Sequence, residues 1–336
     1  MKILLATDGS RYALEAARFL STRARPDGSV KIDLVAALPP EASLPLRDSG
    51  FADGDGRGGW TRRRGGLEDT EKVLIEAGFK VEARTLTGDP REVLVEEAED
   101  YDLVVTGVKG RGAAPFFELG SVARAVLRHA PCSVLLVRPR RSAESGVRME
   151  HVQEDPEAPR VLLPTDGVED GLAAAWEVFA SFCGVHTKVE VVTVVEPHSV
   201  DVGQPGRGAW ASRPHVENRS RARNWLRRAV RGFGPAAVPP RGRLLEGRPG
   251  AEIERRALET RADLIVLGVR GGGRPGPGPL GSTARELAWR APCSVLMARD
   301  KTLKRGRNRL ENRLQGLHEA PAPKLAGESP PLSPER

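Results

Sequence analysis

Hydrophobic and polar residues alternate along this chain in two periods. The first residues, "KILLAT", form a short apolar run, and the segment behind it puts Ala13, Ala16, Ala17 and Leu20 at the spacing of one helical face. "KIDLVAAL" is a second strand. The pattern then predicts a helix over 67–77, ended by Gly78 as the glycine just past a helix terminus. "FKVEARTLTG" alternates as a third strand, and "PREVLVEEAED" sets Pro90 at the first position of a helix. "YDLVVTG" is a fourth, wholly apolar strand; a helix over 121–129 and a fifth strand, "CSVLLV", complete the series.

The series then repeats. "ILLATDGS" at Ile3 returns as "VLLPTDGV" at Val161. "GDPREVLVEEAEDYDLVVTG" at Gly88 returns as "GRPGAEIERRALETRADLIVLG" at Gly247, and "HAPCSVLLV" at His129 returns as "RAPCSVLMA" at Arg290. Fixed order and spacing mean two copies of one domain. The copies span residues 1–139 and 160–299, joined by a charged linker over 140–159 without apolar periodicity. Residues 300–336 are basic, then Pro-rich, a composition expected to be disordered.

Strands that alternate with helices and are apolar throughout belong to a parallel sheet covered on both faces. The fold class predicted is α/β: two tandem doubly wound, Rossmann-like domains, each with a five-stranded parallel sheet. The last strands, "SVLLV" and "SVLMA", would be exposed edges in separate domains. They are expected to pair within the chain as a pseudo-twofold dimer, with a homodimer of whole chains as a further option.

Composition narrows the class. Of 336 residues only 4% are aromatic, so the core must be aliphatic. The formal net charge of +7 is largely dispersed arginine plus a basic tail, which reads as solvated surface. The most basic stretch, "NRSRARNWLRRAVRGF", places Ala222, Trp225, Leu226 and Ala229 on one helical face. That face fits packing on a sheet with the arginines outward, rather than a nucleic-acid contact. No signal peptide and no apolar run long enough for a membrane span are visible, and a cytoplasmic location is expected. Cys132, Cys183 and Cys293 are an odd, sparse set that fits neither a disulfide framework nor a zinc site. Cys132 and Cys293 open apolar runs and are expected to be buried and inert.

The candidate chemistry lies behind the fourth strand of each copy. "GVKGRGAAPFFELGS" begins at Gly107 and "GVRGGGRPGPGPLGS" at Gly268, with identical glycine spacing: Gly107, Gly110, Gly120 and Ser121 against Gly268, Gly271, Gly281 and Ser282. Each segment leaves the carboxyl end of a strand and enters a helix. Ligands of such sheets bind beyond the carboxyl ends of the strands. Glycine lets backbone amides approach closely, and a helix start offers unpaired N–H groups that suit a phosphate. Ser121 and Ser282 are expected as helix N-caps, and Lys109, Arg111, Arg270 and Arg274 as nearby charge.

This G-x2-G-x9-G-[ST] pattern, with the early "TDGS", resembles the universal stress protein family, here as a tandem pair covering about four-fifths of the chain. The resemblance implies an adenine nucleotide ligand, ATP with or without Mg2+, whose phosphates and ribose are held by Gly107, Gly110, Arg111, Gly120, Ser121 and Val122. In the second copy Gly268, Gly271, Gly281, Ser282 and Thr283 stand in those places. It also implies that Asp8 and Asp166 contact the nucleoside, and that Ala37 and Val194 border the base. The first copy has Ala6 where the family often has proline, while Pro164 fits the second. The second spacer, "GGRPGPGPL", carries three prolines, which have no N–H to donate, and is the poorer cradle.

Competing motifs do not assemble. G-x4-G-K-[ST] is absent, and G-x-G-x-x-G at Gly54 and Gly271 does not open a first strand–helix unit. The histidines lack ligand spacing, G-x-S-x-G is missing, and Asp102 and Asp263 read as turn residues rather than general bases. Two functional classes stay open. One is an adenine-nucleotide-binding stress or signalling module, not an enzyme or at most a slow ATPase, whose occupancy is sensed by protein partners. The other is a ligand-free interaction or scaffold protein of the same fold.

Overall fold

A computed structural model describes residues 1–38, 59–110, 119–139, 159–166, 187–196, 212–232, 239–269 and 280–299, with the side chains of 59–66, 212–218 and 232 excluded. The first half contains β1 (Lys2–Ala6), α1 (Arg11–Arg23), β2 (Lys31–Leu38), α2 (Gly59–Glu76), β3 (Val81–Thr87), α3 (Pro90–Glu97), β4 (Leu103–Gly107), α4 (Ser121–His129) and β5 (Ser133–Val137). The second half contains β6 (Arg160–Pro164), β7 (Lys188–Val195), α5 (Ser212–Gly232), β8 (Arg241–Glu246), α6 (Pro249–Thr260), β9 (Leu264–Gly268), α7 (Ser282–Arg290) and β10 (Ser294–Ala298).

The ten strands among the described residues form one sheet in the order β3-β2-β1-β4-β5-β10-β9-β6-β7-β8. Within each half every pairing is parallel, for instance Ile3 against Ile32 on one side and Leu103 on the other. The order reverses between β1 and β4, and again between β6 and β9, which is where a doubly wound sheet opens a crevice. The halves join through β5 and β10, antiparallel, with Leu136 opposite Val295 and Leu135 opposite Leu296. The expected in-chain pairing of the last strands is therefore what the molecule contains.

Period-two alternation distributes the apolar side chains to two layers. Ile3, Leu5, Ile32 and Leu34 face a layer built with Ala16, Ala17 and Leu20 of α1, Leu74 of α2 and Leu226 and Ala229 of α5. Leu4, Ala6 and Val104 face the other layer, with Leu94 of α3, Val126 of α4, Ile253 of α6 and Leu287 of α7. Arg221, Arg223, Arg227, Arg228 and Arg231 of α5 face outward, as its pattern predicts. Both layers run across the seam, so the two repeats share continuous cores on each face.

Local signals acted where expected. Gly78 ends α2 at φ +87°, with its N–H on Ile75 and that of Phe79 on Leu74, a two-bond closure that needs a left-handed residue. Pro90 opens α3 behind Asp89, whose carboxylate accepts from the Arg91 amide. Asp102 and Asp263 are structural: each carboxylate accepts the N–H at the start of the first strand of its repeat, from Lys2 at 2.8 Å and Arg160 at 2.7 Å. Cys132 and Cys293 are buried. One boundary differs from the expectation. α2 starts at Gly59 rather than near 67, which shortens the connection behind β2 to 39–58. Glycines within "GWTRRRGG" hid the early start, because glycine lowers helix propensity and the docked second half of the helix overrides it. The connection 39–58, its counterpart 197–211, the linker 140–158, Cys183 and the tail lie outside the described residues.

Candidate functional site

The chain leaves β1 into a tight turn. Thr7 is buried, and its amide still bonds to Val35 of β2 at 2.9 Å. Its hydroxyl accepts from the Gly9 amide at 3.1 Å, and Asp8 Oδ1 accepts from the Ser10 amide at 2.9 Å. Gly9 turns the chain at φ +68°, and Ser10 caps α1 by accepting from Ala13. The "TDGS" segment is thus a turn in which each short polar side chain serves a nearby amide, and Asp8 is left exposed at its apex.

The first glycine segment arrives from β4 beside it. Val108 donates to the Val137 carbonyl of β5 at 3.0 Å, extending the sheet by one residue, and Lys109 is buried. Gly110 then lies against Asp8: a Cβ on Gly110 would stand 2.5 Å from Asp8 Oδ2. Residues from the ends of β1 and β4 therefore meet at the strand-order switch point, and absence of a side chain on Gly110 is what leaves room for the carboxylate. Gly107 has a different reason. A Cβ there would come 2.6 Å from the Tyr12 Cβ and 2.8 Å from the Tyr12 carbonyl carbon, so this glycine lets α1 close on the end of β4.

The segment ends at α4. Gly120 donates to the Val108 carbonyl at 2.8 Å, folding the segment back on itself, and then serves as N-cap at φ −60°, ψ 155°. This corrects the expectation for Ser121, which is an exposed first helical residue and not the cap. The reason is positional: Gly120 is the last residue with non-helical ψ. Having no side chain, Gly120 makes no side-chain cap to the helix amides, and a helix start of this kind suits an anion. Val122 is half-buried against the core and positions that turn.

The second half repeats the frame. Val269 donates to Ala298 at 3.0 Å, Gly281 donates to Val269 at 3.0 Å, and Gly281 rather than Ser282 caps α7. Gly268 ends β9, Ser282 is exposed and Thr283 half-buried. Asp166 stands exposed behind β6, with Thr165 bonded to Val192 at 2.9 Å as Thr7 is to Val35. Ala37 and Val194 lie near the carboxyl ends of β2 and β7, half-buried against the second apolar layer and opposite Leu86 and Leu245. Arg111, Arg270, Gly271, Arg274 and both spacers except Leu119 and Leu280 lie outside the described residues.

Three features at this end of the sheet escape a sequence reading. Thr7 Oγ1 lies 3.3 Å from Thr70 Oγ1 of α2, a buried link for which the sequence has no signal. Gly88 and Gly247, behind β3 and β8, adopt φ +151° and +140°. Their recurrence at matching places of the two copies was the available clue. Asp89, next to Gly88, is held by the Arg91 guanidinium and amide, which lowers its carboxyl to about 2. Among the described residues no group of three or more His, Cys, Asp or Glu could hold a metal ion, and no helix is long and apolar enough to cross a membrane.

Comparison with known proteins agrees with this architecture. The model of the universal stress protein family matches residues 1–138 and again 158–299. A universal stress protein of Thermus aquaticus is 36% identical over 143 residues, which is 40% of this chain and 97% of that protein. One from Methanocaldococcus jannaschii is 33% identical over 142 residues, 41% of this chain and 81% of that protein. Among solved structures, a universal stress protein from Archaeoglobus fulgidus aligns over 89% of this chain and 98% of its own, with a TM-score of 0.54 and 19% identity. A Pseudomonas aeruginosa protein of unknown function aligns over 93% and 97%, with a TM-score of 0.58 and 16% identity. The repeated strand order, the twin glycine segments and the two family matches lead to one conclusion: this chain belongs to the universal stress protein family, with two of the family's domains in tandem.

Proposed function

We propose that the first repeat binds an adenine nucleotide, ATP, at the crevice between β1 and β4, and that its occupancy is read by protein partners. The observation that carries this reading is the meeting of Asp8 with Gly110 beside the uncapped start of α4. A carboxylate accepts from ribose hydroxyls or an adenine amino group, and capless helix amides favour phosphate. Ala37 supplies a small apolar surface for a flat base near the end of β2. Mg2+, where present, travels with the phosphates, since the described part of the chain offers no carboxylate cluster for it. ATP hydrolysis is slow at most. Asp8 Oδ1 is already engaged by the Ser10 amide, and the carboxylate lies at a turn apex where its work is to hold a ligand.

The second repeat has the same frame, but its proline-rich spacer supplies fewer amides, and it binds more weakly or serves as a docking half. The decisive experiment has two parts. Mass spectrometry of small molecules released on denaturing the purified protein is expected to show an adenine nucleotide. Calorimetric titration is expected to show Asp8→Ala losing about 1–3 kcal/mol of ATP affinity, the worth of a hydrogen bond to a charged group. A protein that carries no nucleotide and takes up no ATP is the ligand-free scaffold instead.

A further inference from the structure

Two arginines bind the halves together in a reciprocal way. Arg138 follows β5, and its guanidinium donates to the carbonyls of Ala291 at 2.9 Å, Trp289 at 3.4 Å and Ala288, at the C-terminal end of α7. Arg299 holds the matching place after β10, and its guanidinium donates to the Leu127 carbonyl in the last turn of α4. Each arginine thus holds a helix of the opposite repeat. The strand starts answer in kind: Ser294 Oγ accepts from the Arg138 amide at 3.3 Å, and Ser133 Oγ from the Arg299 amide at 3.2 Å. A cation at a helix C-terminus meets the negative end of its dipole, and the planar fork lets one guanidinium span successive carbonyls.

Traced outward, these contacts close a circuit through the starts of α4 and α7. Arg138 is joined to Val137, whose carbonyl accepts from Val108, and the Val108 carbonyl accepts from Gly120, the N-cap of α4. The far end of α4 is held by Arg299, which is joined to Ala298. The Ala298 carbonyl accepts from Val269, whose carbonyl accepts from Gly281, the N-cap of α7, and the far end of α7 is held by Arg138. Every step is a hydrogen bond, a covalent step or a short rigid helix.

We propose that the starts of α4 and α7 are energetically coupled through this circuit, so that a polyphosphate seated at the start of α4 alters the mobility of the start of α7. The inference rests on the adenine-nucleotide reading of the first repeat. A phosphate drawn to the start of α4 pulls on a helix of nine residues whose other end is clamped. A close-packed interior passes such a displacement on rather than absorbing it.

Hydrogen–deuterium exchange on the full chain with and without Mg-ATP tests this. ATP is expected to slow exchange at 119–123, and to slow it by roughly fivefold or more at 280–284, the lower end of usual coupling factors. Gly110→Val, which alters only the first repeat, is expected to abolish the effect at both places. Arg138→Gln combined with Arg299→Gln is expected to abolish it at 280–284 while leaving it at 119–123. Should that pair fail to fold, Arg138→Gln and Arg299→Gln are read singly, and each is expected to reduce the effect at 280–284, since each opens one of the two arms of the circuit. Protection at 280–284 that survives Gly110→Val, or that survives the arginine changes undiminished, overturns the coupling. So does ATP protection confined to 119–123, which would leave the nucleotide site standing. No protection at either place removes the site itself, and the coupling with it.

Discussion

Two glycines on the same side of the sheet lack a side chain for different reasons, and their alanine variants are expected to separate stability from binding. Gly88 sits at φ +151°, and a Cβ there would lie 2.5 Å from Val93 Cγ2. Gly88→Ala is therefore strained in backbone and packing alike. It is expected to cost about 1–3 kcal/mol in denaturant unfolding, the usual price of a residue forced into such a conformation. Gly110 is not in a positive-φ conformation, and among the described residues its added Cβ would meet only the Asp8 carboxylate. Gly110→Ala is expected to leave unfolding nearly unchanged and to weaken ATP binding in a titration. Asp89 bears on pH. Its carboxyl is lowered from 3.8 to about 2 by Arg91, so it favours the folded state above 3.8, and that contribution disappears as pH falls towards 2. Exchange at the amides of Arg91 and Val93 is expected to show α3 loosening over that acid window, and Asp89→Asn is expected to remove the dependence.

At the scale of elements, the start of α4 and the seam strand β5 carry opposite kinds of information. Gly120 leaves the α4 amides without a side-chain cap. Gly120→Asp would supply one, which ordinarily stabilises a helix, and would set a negative charge where phosphate is proposed to bind. The expected outcome is an unchanged or raised unfolding midpoint, with ATP affinity lowered about tenfold or more, equal to ~1.4 kcal/mol. At the seam, Leu135 faces Leu296 and both are almost wholly buried. Leu135→Ala is expected to cost about 2–5 kcal/mol, as for other leucines removed from close-packed cores. Strands and helices such as these were legible, since "SVLLV" and the Val122–Leu127 face carry clear periods. The caps were not. Whether Gly120 or Ser121 ends the non-helical backbone is a matter of one ψ angle, set by the Gly120–Val108 bond, and residue type alone favours serine.

At the scale of the molecule, one ten-stranded sheet with two continuous cores makes each repeat the cover for the other's last strand. Residues 1–139 alone would expose β5 as an apolar edge. Produced separately, that half is expected to dimerise through β5, and sedimentation should show a species twice the mass of the repeat. A half that stays monomeric at high concentration would mean that the seam is not the driving contact.

The sequence by itself determined the repeat, the α/β class, the strand set and the neighbourhood of the site, because each is written in local period or in direct recurrence. Ile3 and Leu5 against Leu4 and Ala6 announce a strand covered on both faces, and equal glycine spacing announces equal turns. What only the tertiary structure decided is which distant residues touch. Asp8 and Gly110 are neighbours because β1 pairs with β4 in a given register. Gly107 is small for the sake of Tyr12, and Thr7 finds Thr70. Arg138 and Arg299, two arginines among many charged residues, become helix clamps only once β5 and β10 run antiparallel. Period encodes the face a residue turns to its own element's neighbours. It does not encode the register between elements, and the site and the seam are both made of register.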